Sequence, residues 1–72
     1  MSDFDDLTTT GFYSVEGTHS PSGSSSVWYS VLVMQIAGNS AYVTQLAMAT
    51  GVNSGAWLRT MDGGTWGSWA KL

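Results

Sequence analysis

A chain of 72 residues holds one domain at most, and a domain of that size buries only about 60% of the surface its unfolded chain exposes. It has no cysteine, which excludes disulfides and thiolate metal sites, so large aromatic side chains and self-association are left to supplement the core. Only 10% of the residues are charged, Arg59 and Lys71 are the only cations, and the formal net charge is -3; this excludes nucleic-acid binding and electrostatic membrane anchoring, both of which need clustered cations.

The acidic start, Met1 to Asp6, has neither the basic nor the apolar region of a signal peptide. The expected route out of a cell is therefore lysis, or travel as part of a larger assembly. Ser2 is placed to cap one short helical turn over Asp3–Thr9. Residues 1–10 read as a lead-in and 11–72 as a single β domain. Beyond the lead-in, short runs rich in Val, Tyr, Trp and Thr alternate with glycine-rich turns, and no run carries the apolar spacing of a helix. Five strands are predicted: Gly11–Glu16, Val27–Ala37, Ala41–Thr50, Ala56–Met61 and Thr65–Leu72. Gly38-Asn39-Ser40 and Asp62-Gly63-Gly64 are tight hairpin turns. The loop Gly17–Ser26, nearly all Ser and Gly around His19 and Pro21, buries no apolar area and is either a surface loop or a recognition loop held by partners. The fold class is all-β, a small antiparallel meander forming a compact sandwich or knob.

Val27–Ala37 is too short to span a bilayer, and its pattern is informative. Trp28, Leu32, Met34 and Ile36 share one face; Val27, Tyr29, Val31, Val33 and Gln35 share the other. A strand that is apolar on both sides is covered on both sides. Five strands cannot cover both faces of their own sheet, so either the sheet closes on itself or another copy of the chain covers the second face.

No catalytic residue is expected. Asp5 and Asp6 read as solvated, Asp62 as a turn residue, and His19 as an ordinary loop histidine, since a Ser/Gly loop offers no rigid triad. No cofactor is expected; the one metal idea is a symmetric site built from copies of His19. The ligand-binding candidates are Trp28, Tyr29, Trp57, Arg59 and His19, with the alternative that Trp28 and Trp57 are core. Aromatic rings stack on sugar faces, and a guanidinium fork fixes a carboxylate, here that of Asp62 or Glu16 or one on an acidic sugar. Phe12, Tyr13, Val31, Val33, Gln45, Trp66 and Trp69 are the structural or interface candidates. Gln45 is expected to bond backbone or a neighbouring subunit. Trp66 and Trp69, three apart on a strand, are expected on opposite faces unless Gly67 and Ser68 make a bulge.

Taken together, Leu7-Thr8-Thr9-Thr10-Gly11-Phe12-Tyr13-Ser14-Val15, Pro21 in the next loop, an apolar strand, Val43-Thr44-Gln45-Leu46, and the ending Trp57-Leu58-Arg59-Thr60 … Asp62-Gly63-Gly64-Thr65-Trp66-Gly67-Ser68-Trp69-Ala70-Lys71-Leu72 carry a resemblance. This order of motifs resembles the pyocin-knob domains at the tips of phage and tailocin fibres. The resemblance implies a non-catalytic, homotrimeric fibre tip in the virion, made in the host cytoplasm and acting outside the cell. Its partners would be itself, the rest of the fibre, and a host-surface glycan or outer-membrane protein. The alternative is a trimerisation or assembly module of the fibre with no receptor contact.

Overall fold

The computed structural model describes residues 3–51 and 54–72; the expected cap Ser2 lies outside them. Six strands form one antiparallel sheet: β1 (Gly11–Val15), β2 (Tyr29–Ile36), β3 (Asn39–Ala49), β4 (Gly55–Asp62), β5 (Thr65–Trp66) and β6 (Ala70–Lys71). The order is β1-β2-β3-β4-β5, and β6 also pairs with β4. The meander is as expected, but the last predicted strand is broken in two. From the Met61–Trp66 pair to the Leu58–Ala70 pair, the terminal run advances four residues while β4 advances three. That one-residue bulge changes which side chains share a face. It overturns the opposite-face expectation: Trp66 and Trp69 lie on the same side of the sheet, both against Arg59.

The β2–β3 turn differs from the expected Gly38-Asn39-Ser40. Ile36 pairs with Asn39, so the two turn residues are Ala37 and Gly38, with φ of 54° and 68°. Positive φ at both positions matches the right-handed twist of the flanking strands. Asp62 likewise pairs with Thr65 across Gly63 and Gly64. Gly55, at φ 152°, sits under the Trp57 ring, where a Cβ would come within 2.9 Å of the indole.

One face of the sheet is covered. Val15, Tyr29, Val31, Val33, Val43 and Ala47 are buried there, with Phe4 and Leu7 packed over them. Phe4 and Leu7, inside the expected lead-in, are therefore part of the domain core. The helical turn is a single 3₁₀ turn, Phe4–Asp6, capped by Asp3, whose carboxylate accepts from the Asp5 N–H. An irregular segment laid on a sheet needs partners for its carbonyls, and the sheet's side chains supply them. Gln45 Nε2 donates to Phe4 O (2.7 Å) and Leu7 O (2.9 Å), Gln35 Nε2 to Thr8 O, and the Tyr13 hydroxyl to Thr9 O (2.7 Å).

The Ser/Gly loop is tied down in the same manner. Thr18 O accepts from Phe4 N (3.0 Å), Ser20 Oγ donates to Ser24 O (2.7 Å), and Ser22 Oγ accepts from the Tyr29 hydroxyl (2.8 Å). Ser20 is buried.

The turn yields a direct test. Ala37 occupies left-handed backbone, which costs an L-residue about 1–2 kcal/mol, against about 0.5–1 kcal/mol for the extra chain freedom of glycine. Ala37→Gly is expected to stabilise the protein by about 0.5–1 kcal/mol, read as a higher urea midpoint with an unchanged slope.

Candidate functional site

Arg59 is 5% exposed. It faces Gln45 across the β3–β4 ladder, and its Nε donates to Gln45 Oε1 at 2.8 Å. Its guanidinium carbon lies 3.9 Å from the Trp66 ring centroid and 4.6 Å from that of Trp69, close enough for cation–π attraction. Nη2 lies 2.9 Å from Asp5 Oδ1. Both atoms are buried and neither has another partner among the described residues, so each compensates the other. Burial pushes the guanidinium pKa down from its ordinary value, and Asp5 opposes that shift. The two indoles extend the network to the covering segments: Trp66 Nε1 donates to Asp5 O (3.3 Å) and Trp69 Nε1 to His19 O (2.9 Å).

The expected partners of Arg59, Asp62 and Glu16, are thus replaced by Asp5, which is not free in solvent as expected. His19 is also more than an ordinary loop residue. It holds φ 62°, and its Nδ1 lies 2.8 Å from Asp3 Oδ1 and 3.3 Å from Asp5 Oδ2. The Asp3 hydrogen bond raises the His19 pKa, with the Asp5 charge adding to it; the same bond, with the Asp5 N–H, lowers the pKa of Asp3. Asp3, Asp5 and His19 bring three potential metal ligands within 4.8 Å of one another. Arg59 already neutralises one of the two carboxylates, and His19 bridges both. The arrangement works as a charged clasp between the start of the chain, the Ser/Gly loop and the sheet.

Among the described residues no side chain on the opposite face of the sheet is fully buried, and Leu32, Leu46 and Leu58 at its centre are half-buried. Phe12 opposes Leu32, Leu32 opposes Leu46, Leu46 opposes Leu58, and Leu58 opposes Ala70, an apolar row that crosses the sheet from edge to edge. Phe12 is 75% exposed, and Met34 and Met48 flank the row, also exposed. The next row, Ser14, Ser30 and Met48, borders a groove of about 330 Å³ lined also by Trp28, Tyr29, Ala49 and Thr50.

The structure separates the five ligand candidates. Tyr29 is 2% exposed, with its ring edge-on to Phe4 and Trp57; its ring face is not available for stacking. Arg59 is enclosed by two indoles and Asp5, and so is internal. Trp57 is half-buried on the covered face, beneath Lys71 Nζ at 5.6 Å. His19 belongs to the clasp. Trp28 alone presents an open ring, 60% exposed. Among the structural candidates, Val31, Val33 and Gln45 are core, Tyr13 is half-buried, and Phe12 stands on the open face. Asp3, Phe4 and Asp5 were missed by sequence reasoning. The available signal was Phe4 and Leu7, apolar and three apart in an otherwise polar lead-in.

Two measurements test this network. Gln45→Leu keeps the volume but leaves the Leu7 carbonyl and the Arg59 Nε without a partner, while Phe4 O keeps only the Leu7 N–H; a loss on the order of 3 kcal/mol is expected by urea unfolding. The clasp has a pH window. Asp3, its pKa lowered when folded, contributes fully above its ordinary 3.8 and loses that contribution as pH falls through the lowered value. His19, its pKa raised when folded, contributes fully below its ordinary 6.5 and loses that contribution as pH rises through the raised value. The urea midpoint of the wild type is expected to decline on the alkaline side of this window. His19→Asn, which tolerates left-handed backbone but carries no charge, is expected to flatten that decline.

In comparisons with known proteins, no family model, curated protein or solved structure matches the chain.

Proposed function

We propose that this chain is a non-catalytic, self-assembling module of a phage or phage-like tail fibre, in which copies of the chain cover one another's open sheet faces and so build a trimeric knob at the fibre tip. The observation that carries this reading is the apolar row Phe12–Leu32–Leu46–Leu58–Ala70, which crosses a face that the chain leaves uncovered. The row is half-buried at Leu32, Leu46 and Leu58 and exposed at Phe12 and Ala70, with Met34 and Met48 exposed beside it; a contiguous, partly exposed apolar surface on a small domain marks an interaction site. The rows that flank it on the same face, Ser14, Ser30, Met48 and Ala56 on one side and Met34, Thr44 and Thr60 on the other, carry no charge, so identical copies meet there without like-charge repulsion.

The resemblance of the motif order to that of pyocin-knob domains supports the fibre setting and the number three. Such a knob would act in the virion, outside the cell, with the rest of the fibre as a further partner. Its recognition of a host-surface glycan or protein would gain from having several copies on one axis, which raises avidity by about 10²–10⁴ with no new contacts. The carboxylates support a non-catalytic reading, because Asp3 and Asp5 are committed to His19 and Arg59.

Sedimentation velocity from micromolar to millimolar concentration tests the proposal. The wild type is expected to form trimers. Leu46→Glu, which puts a carboxylate in the middle of the row, is expected to weaken association at least 100-fold while the far-UV circular dichroism is unchanged. A wild type that stays monomeric throughout overturns the reading.

A further inference from the structure

We propose that the groove beside Trp28 binds a neutral pyranose ring, either free or as one residue of a glycan chain. This inference does not depend on assembly, since one chain supplies the whole groove. Trp57, Trp66 and Trp69 each have an aromatic or cationic partner. Trp28 has no ring partner among the described residues and is 60% exposed immediately before β2. The covered face had room in its aromatic cluster for Tyr29 and Trp57, yet strand alternation turns the neighbouring Trp28 outward.

The chemistry around that ring is specific. Ser14 and Ser30 stand opposite each other across the β1–β2 ladder, Met48 stands opposite Ser30, and Thr50 follows. A hydroxyl both donates and accepts, which suits the hydroxyl rim of a sugar. The indole face is electron-rich and apolar, which suits the C–H face of a pyranose. The lining carries no charged side chain, so a sialic or uronic acid would find no cation there. The cavity of about 330 Å³ lies at the small end of the usual range for small-molecule sites, about 300–1,000 Å³. The strand that carries Ser30 is anchored in advance, because its neighbour Tyr29 turns its ring into the covered face, where the hydroxyl is held by Ser22 at 2.8 Å and the ring is edge-on to Trp57. A site that is already ordered loses less entropy on binding.

Titration of the ¹⁵N-labelled protein with methyl hexopyranosides tests the ring alone, and a soluble neutral glucan tests the same ring within a chain. A saturable shift of the Trp28 indole N–H, with a midpoint in the millimolar range, is expected for at least one of the two. Trp28→Ala is expected to weaken binding at least tenfold with the fold intact by circular dichroism, and Ser30→Val severalfold. N-acetylneuraminic acid is expected to produce no saturable shift. The proposal is overturned by the absence of saturation up to ~100 mM of every neutral glycoside, by binding that survives Trp28→Ala, or by preference for the acidic sugar. Repeating the titration in Leu46→Glu separates this site from assembly: binding retained supports a groove within one chain, and binding lost places the site between copies and overturns it.

Discussion

The side-chain amide of Gln45 is the point on which the rest of the structure turns. It is completely buried, it donates to the carbonyls of Phe4 and Leu7, and it accepts from Arg59. A polar group in that position is tolerable only when every one of its bonding positions is matched. Once matched, it fixes where the first residues of the chain lie. Phe4 and Leu7 then close the core, and the Ser/Gly loop follows through Thr18 O. Arg59 is held in place to take Asp5 on one side and the indoles of Trp66 and Trp69 on the other. The first residues of the chain and the Ser/Gly loop, bonded by sheet side chains, thereby take the place of the second sheet that a sandwich would have used to cover this face.

This solution has a consequence for the other face. The chain has one short covering segment and one loop, and both are spent on the side that carries Tyr29, Val31 and Val33. Among the described residues, Leu32, Leu46 and Leu58 stay half-buried and Phe12 stays exposed. In a domain that buries only about 60% of its unfolded surface, leaving such a row partly open sacrifices stability that a neighbouring copy would restore. The proposed self-association would follow from this one-sided packing.

Charge is used in the same sparing way. The chain has few ionisable groups, and four of them, Asp3, Asp5, His19 and Arg59, meet in one place. Three of these come from segments without regular strand structure, so the clasp holds together the parts of the molecule that no β ladder holds. Trp28 stands apart from this economy, as the one tryptophan whose ring is given no internal use.

The amino-acid sequence by itself determined the meander. Strand alternation, glycine-rich turns and the doubly apolar pattern of residues 27–37 are local properties, set by the two-residue period of extended backbone and by the few residues that accept positive φ. It also showed that both faces of residues 27–37 are apolar, leaving open whether the sheet closes on itself or another copy covers the second face. The tertiary structure decided which face that was, because the choice depends on where Phe4 and Leu7 dock, and docking depends on Gln45 reaching carbonyls some forty residues away in the chain. It decided as well that Trp66 and Trp69 share Arg59, since a single bulge residue inverts the facing of everything beyond it, and that Asp5 rather than Asp62 or Glu16 neutralises that arginine. Pairings between distant segments leave no periodic trace in sequence; they exist only once the covering segment and the sheet have met.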